Sequence, residues 1–173
     1  AREMVELAEQ GGDFVDSLLW NLADLHAEMG ELRIAEEYLE RAARGLSYHP
    51  NFNPSLIHLA QLHVGFQLYE EALRDLDRAQ ESFEGWFKRN PRARRNNGFL
   101  TQQRQLLTEI WLRLGQPEKA LQTAQEVEEW ERNARVAQGI LGMALMALGR
   151  DAEAEKYFLA RLDSSKDAPW RQK

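Results

Sequence analysis

Apolar side chains recur along the chain at helical spacing, in stripes that short polar turns separate. Within a stripe, a leucine is followed one residue later by a small residue, and three residues after that by a ring or bulky apolar group. These steps place the three side chains on one face of a helix. The stripes begin at Leu22, Leu59, Leu107 and Leu141. Each is followed by a turn and a second helical stretch, so the pattern predicts an all-α chain of antiparallel helix pairs.

A small anchor residue marks the second helix of each predicted pair, and its surroundings repeat. The anchors are Ala1, Ala35, Ala72, Ala120 and Ala154. They are separated by 34, 37, 48 and 34 residues, and a leucine lies thirteen residues before each of the four later anchors. Because one pair of helices is too small to bury its own apolar stripe, neighbouring pairs must stack. The chain is therefore predicted to be a helical repeat protein.

The turn inside a pair carries a glycine in three of the four full repeats. Gly30, Gly115 and Gly149 lie five residues before their anchors, and Gln67 is the exception at this position. Glycine ends a helix in the left-handed conformation without the steric penalty of a Cβ atom. The three glycines are therefore predicted to end the first helix of their pairs.

This spacing resembles the tetratricopeptide repeat family, and the clearest local matches are residues 20–23 and 148–154. The resemblance implies an α-solenoid of antiparallel helix pairs that forms a right-handed superhelix, with about four repeats after a leading half-repeat. Only two of the four spacings equal the 34 residues of that family. A related helical-hairpin repeat with longer units and an ordinary non-repeating helical bundle stay as alternatives.

One helical-repeat domain is predicted over residues 1–173. It consists of a half-repeat over residues 1–12 and of repeats over residues 16–46, 54–90, 99–131 and 133–163. An extended second helix and a basic linker over residues 88–98 account for the spacing of 48. The chain begins at an anchor and ends where another first helix would start. Because solenoids need polar caps, we expect a piece of a longer protein, or self-association that covers the uncapped ends.

Composition narrows the classes of function. The net charge of -6 argues against a protein that coats nucleic acid, so nucleic acid is not the expected partner. Charged residues make up 29% of the chain, and no apolar run approaches the roughly 18 residues of a membrane-spanning helix, so no membrane insertion is expected. The chain has no cysteine, which excludes disulfide and thiolate chemistry.

The sequence shows no constellation of catalytic or metal-binding residues. His26 and His63 occupy equivalent places in successive repeats, where a packing ring is favoured over a metal ligand, and His58 is five residues from His63, off the i,i+4 alignment of paired ligands. Most carboxylates lie beside arginine or lysine, as on a solvated helix face. Phosphate loops, nucleophile elbows and zinc motifs are missing. We predict no enzyme activity, no cofactor and no metal.

The resemblance also implies where a partner binds. In that family the first helices line the inside of the superhelix and hold a peptide or a helix there. The corresponding residues are turned away from the leucine stripe of each first helix. They are Trp20, Asn21, Asp24, Ile57, His58, Gln61, Gln105, Glu109, Arg113, Met143 and Met146.

The predicted function is a scaffold or adaptor module that binds a peptide or helix of a partner protein in this concave groove. The alternative is a docking or sensor segment of a larger regulator or enzyme whose active domain lies outside the chain. Met143 and Met146 suit an adaptable binding surface, but packing against a further helix explains them equally well.

A run of basic residues is a second candidate contact. It comprises Lys88, Arg89, Arg92, Arg94 and Arg95, with no acid among them. Such a run would attract an anionic partner. A solvated loop whose charges balance the acidic helices is the alternative.

Overall fold

The computed structural model describes residues 15–44, 53–90, 92, 98–130 and 134–166. Eight α-helices and no β-strand lie in this part of the chain. The helices are α1 (Val15–Glu28), α2 (Leu32–Arg44), α3 (Ser55–Gly65), α4 (Tyr69–Arg89), α5 (Gly98–Arg113), α6 (Pro117–Trp130), α7 (Ala134–Ala147) and α8 (Asp151–Lys166). The all-α fold of helix pairs that the sequence predicts is confirmed.

The chain forms two compact units, residues 1–91 and residues 92–173. The first unit contains the pairs α1–α2 and α3–α4, and the second contains α5–α6 and α7–α8. Within each unit, the second helix of the first pair packs against the first helix of the next pair, and the two first helices are also in contact. Each unit is therefore a stack of two helix pairs. The right-handed superhelix and the predicted domain bounds stay predictions.

The anchor alanines lie where helices meet. Ala35, Ala72, Ala120 and Ala154 are all buried, as the close approach of the two helices in a pair requires. The fifth anchor, in the predicted half-repeat over residues 1–12, lies outside the described residues. The four anchor positions within the described residues are therefore alike in their burial.

The four turns inside the pairs share one backbone motif. At each turn a residue with left-handed backbone ends the first helix: Gly30, Gly115 and Gly149 have φ of 77°, 66° and 70°, and Gln67 has φ of 62°. The next residue donates its backbone N–H to the carbonyl five residues earlier, at 2.8 to 3.0 Å. Together with the preceding N–H bond, this is the Schellman motif. Gln67 therefore occupies the glycine site of the motif.

Each unit has its own apolar core. In the first unit, Leu19, Leu39, Leu59, Leu76 and Phe83 are almost fully buried. Helix α4 is 21 residues long, and Phe83 and Phe87 pack edge to face in its second half with ring centroids 6.4 Å apart. In the second unit, one buried cluster among the described residues consists of Ala124, Val127, Ala137, Ile140 and Leu141. These cores hold the first helices, which carry the predicted binding residues, in fixed positions.

Candidate functional site

A cleft of about 480 Å³ lies between α1 and α3 in the first unit. Helix α1 forms one wall, α3 forms the other, and Leu39 of α2 lies at the floor. The lining residues are Ala23, Asp24, Ala27, Glu28, Leu39, His58, Gln61, Leu62, Gly65 and Phe66. The polar side chains come from exposed or half-buried positions of the two first helices, while Ala23, Leu39 and Leu62 are buried. The cleft thus combines an apolar floor with a polar rim.

Trp20 joins the two walls at one edge of the cleft. Its indole Nε1–H donates a hydrogen bond to the Ser55 hydroxyl at 2.9 Å. Its ring stacks on His58, with centroids 4.5 Å apart and planes inclined by 24°. Because Ser55 and His58 both belong to α3, these contacts set the distance between α1 and α3.

The rim of the cleft carries negative charge on one side only. Asp24 and Glu28 lie one helical turn apart on α1, and no lysine or arginine lines the cleft. On the other wall, burial lowers the pKa of His58, although the charge of Asp24 opposes this shift. A histidine with a lowered pKa is neutral at pH 7. At that pH the lining therefore holds two anions and no cation.

The structure brings three of the predicted binding residues together in this cleft: Asp24, His58 and Gln61. Trp20 lies at its edge through the stacking on His58. Asn21 is exposed on α1 and does not line the cleft.

The assignment of Ile57 to the binding surface is wrong, because its exposed fraction is 0%. Helix α3 packs against three other helices, α1, α2 and α4, and this packing leaves less of its surface open than the sequence pattern predicts. Ile57 belongs to the apolar core of the first unit.

The predicted binding residues of the second unit are found on α5 and α7. Gln105 and Arg113 are exposed, and Arg113 lies 3.5 Å from the carboxylate of Glu109. Met143 and Met146 are 43% and 56% exposed on α7. Their participation in a common groove with α1 and α3 stays a prediction.

The predicted basic contact is partly described. Lys88 and Arg89 are exposed at the end of α4, and Arg92 is exposed just beyond it. Arg94 and Arg95 lie outside the described residues. An anionic partner for this run stays a prediction.

A chain of charged side chains that the sequence analysis did not foresee connects three helices of the first unit. His63 of α3 is buried between two carboxylates: Nδ1 lies 2.7 Å from Asp75 of α4, and Nε2 lies 2.9 Å from Glu36 of α2. Arg78 continues the chain, since it donates hydrogen bonds to Asp75 and to Glu40 of α2. We call these five residues the His63 network.

The His63 network gives this histidine more than the packing role predicted for it. The hydrogen bond to Asp75 raises the pKa of His63, the bond to Glu36 adds to this, and burial opposes it. An imidazolium that donates from both nitrogens satisfies both carboxylates. The network ties the second helix of one pair to both helices of the next.

The described residues contain no group of three or more histidine, cysteine, aspartate or glutamate side chains that could hold a metal ion. In the same part of the chain, every helix falls short of the length or the apolar character needed to cross a membrane. The ten residues that line the cleft include no hydroxyl, thiol or amine group.

The helices α1 and α2, which supply one wall and the floor of the cleft, form a recognisable repeat. Residues 16–44 match the sequence profile of the tetratricopeptide repeat, and this stretch covers both helices almost from end to end. The match supports the family predicted from the spacing of the anchors. No curated protein sequence matches the chain significantly. Tetratricopeptide repeats generally mediate interactions between proteins.

Proposed function

We propose that this chain is a protein-binding module that holds a peptide segment or a helix of a partner protein in the cleft between α1 and α3. The observation that carries the proposal is the position of the cleft. It lies between the first helices of two stacked pairs, and three residues expected on the inner face from the sequence, Asp24, His58 and Gln61, line it.

The composition of the cleft suits a polypeptide ligand. Its volume of about 480 Å³ falls in the range of about 300 to 1,000 Å³ that is typical of ligand sites. The amide of Gln61 can both donate to and accept from a peptide backbone, and the Asp24 carboxylate accepts hydrogen bonds. The apolar surface of Ala27, Leu62 and Phe66 offers contact to side chains of the ligand.

The same lining favours binding over catalysis. Covalent catalysis by a hydroxyl, thiol or amine needs that group beside a base, and the residues that line the cleft offer none of the three. The ring of His58 is instead engaged in stacking on Trp20. We therefore propose an interaction module that is not itself an enzyme.

The proposal is tested by selecting ligands from a random heptapeptide library displayed on phage, with the full chain immobilised. Selected peptides are then titrated into the ¹⁵N-labelled chain. We expect the amide signals of Asp24, His58 and Gln61 to shift on binding. The Gln61→Arg substitution places a long charged side chain in the cleft and should weaken binding about tenfold or more.

Gln122→Arg is the matched control, because Gln122 is exposed on α6 and does not line the cleft. It should leave the affinity unchanged. The proposal fails if no peptide is selected, or if the shifted signals lie away from α1 and α3.

A further inference from the structure

We propose that the partner segment held in this cleft inserts a lysine or arginine side chain between the two first helices, with its cation at the Asp24 and Glu28 carboxylates. This inference rests on the proposed function and adds the chemical class of the ligand. It follows from the charges of the two walls, the apolar floor and the pairing of the surrounding carboxylates.

Asp24 and Glu28 are the charged groups of the cleft at neutral pH. They lie four residues apart on α1, so their side chains are neighbours on one helix face. Two like charges at this spacing destabilise a helix slightly, and a cation bound between them would remove the repulsion. The chain provides no lysine or arginine for this purpose among the residues that line the cleft.

The opposite wall does not supply a positive charge. Burial lowers the pKa of His58, which keeps the imidazole neutral at pH 7, and Gln61 is uncharged. An acidic ligand would therefore face two carboxylates without compensation, whereas a basic ligand meets a complementary rim. Charge complementarity of this kind determines which partners an interface accepts.

The apolar floor of the cleft suits the methylene groups of a lysine or arginine side chain. Lysine and arginine carry three or four methylene groups that lie along apolar surface while the charged end remains in a polar environment. Ala27, Leu39 and Leu62 line the same cleft as the two carboxylates and provide such a surface. The ring of Phe66 lines the same cleft, and an aromatic face attracts a cation within about 6 Å.

Several carboxylates elsewhere on the first unit are already paired with an arginine of the chain. Glu37 is bound by Arg33 at 3.1 Å, Glu40 by Arg78 at 2.9 Å, and Glu71 by Arg74 at 3.0 Å. Asp24 and Glu28, in contrast, form no ion pair with any described residue. Within the described part of the chain, these two carboxylates are therefore unpaired and open to the cation of a partner.

The experiment repeats the phage selection on three forms of the full chain: the natural sequence, the double variant Asp24→Lys/Glu28→Lys, and the control Asp77→Lys/Glu81→Lys. Asp77 and Glu81 are exposed on α4, four residues apart, and do not line the cleft. The two double variants therefore carry the same change of net charge at the same helical spacing. Circular dichroism first establishes that all three forms are equally helical.

We expect peptides enriched in lysine or arginine from the natural chain and from the control, and peptides enriched in aspartate or glutamate from Asp24→Lys/Glu28→Lys. A synthetic peptide of the selected sequence should bind the Asp24→Lys/Glu28→Lys form at least about tenfold more weakly than the natural chain. Its affinity for the natural chain should fall when salt is raised from about 50 to 300 mM, because salt screens exposed charges.

Peptides that bind in the cleft without a basic residue would overturn the inference and leave the proposed function standing. Basic peptides that bind equally well to Asp24→Lys/Glu28→Lys would also overturn it, since the attraction would then lie elsewhere. Failure to select any peptide for the cleft would overturn both.

Discussion

Gln67 holds a left-handed backbone conformation that glycine adopts at the equivalent position of the other three helix pairs. Its φ of 62° lies in the left-handed region, which costs roughly 1 to 2 kcal/mol for a residue with a Cβ atom. The two hydrogen bonds of the turn nevertheless form, from Gln67 to Val64 and from Leu68 to His63. The turn geometry of the second pair is therefore maintained at a local energetic cost.

Replacing Gln67 with glycine should stabilise the protein. Relief of the left-handed strain outweighs the extra flexibility that glycine gives the unfolded chain, so we expect a gain of about 0.5 kcal/mol in the free energy of unfolding. Gly115→Ala introduces the same strain at an equivalent turn and should cost about 1 kcal/mol. Urea denaturation measures both changes.

Gln122→Gly provides the control for Gln67→Gly. Gln122 is exposed within α6, where glycine lowers helix stability by roughly 1 kcal/mol. The same substitution should thus have opposite signs at the two sites. A loss of stability with Gln67→Gly would contradict the interpretation of the turn.

The sequence predicted the burial of some single residues correctly and of others wrongly. The number of helices that cover each position explains the difference. The anchor alanines were found because small size is needed wherever two helices approach closely. Ile57 was misplaced because its own helix carries no signal of how many neighbours cover it. Asp24 and Gln61 are exposed because their face of the first helix remains partly open in both pairs, and their role in binding stays a prediction.

At the scale of elements, the His63 network makes the stability of the first unit depend on pH. The pKa of His63 is raised above its ordinary value of 6.5 by Asp75 and then by Glu36. Its contribution is fully present below pH 6.5 and is lost as pH rises through the raised pKa. Folding is favoured on the acid side because the folded chain holds the proton more tightly than the unfolded chain.

We expect His63→Gln to remove this alkaline loss, so that the free energy of unfolding changes less with rising pH above 6.5 than in the natural chain. The variant should also be less stable at pH 6 by about 2 kcal/mol, because hydrogen bonds between charged groups are lost. Urea denaturation across the pH range measures both effects.

The pH dependence of stability that we expect from His58 has the opposite sign, and His58→Gln tests it. Burial lowers the pKa of His58 below 6.5, so its contribution is present above pH 6.5 and is lost as pH falls through the lowered pKa. The substitution should flatten the stability curve on the acid side and leave the alkaline side as it is. An unchanged alkaline slope in His63→Gln would contradict the role of the network.

The helices themselves could be predicted because each is marked by an apolar stripe and each turn by its own residues. The His63 network could not. Its hydrogen bonds join His63 to partners 27 and 12 residues away in the chain, and they depend on how three helices are aligned. Charges on a helix face look the same in a sequence whether they meet solvent or a neighbouring helix.

At the scale of the whole molecule, the last helix pair exposes large apolar side chains. They are Met143, Met146, Leu159 and Leu162. In the first pair, the positions equivalent to Met143 and Met146 are Asp24 and Ala27, which line the cleft facing α3. The position equivalent to Leu159 is Glu40, which reaches Arg78 of the next pair. The exposed side chains Met143, Met146 and Leu159 thus occupy positions that, in the first pair, face the next helix pair.

The predicted self-association leads us to expect that the apparent mass of the chain rises with concentration in static light scattering. Met146→Glu/Leu159→Glu should abolish this rise without loss of helix content, because both side chains are more than half exposed. Leu114→Glu, at another exposed leucine outside the last pair, is the control and should still associate. A strictly monomeric natural chain at high concentration would contradict the prediction.

The Schellman turns allow the side chain at one position of each helix pair to vary. The carbonyl that closes each motif belongs to His26, His63, Trp111 or Leu145, and a backbone acceptor places no demand on the side chain it carries. Mutation can therefore exchange these residues in successive copies while the path of the chain is preserved. Two copies carry a histidine with a carboxylate partner here, His26 beside Glu31 and His63 between Asp75 and Glu36, whereas the other two carry tryptophan and leucine, and all four turns keep one backbone geometry.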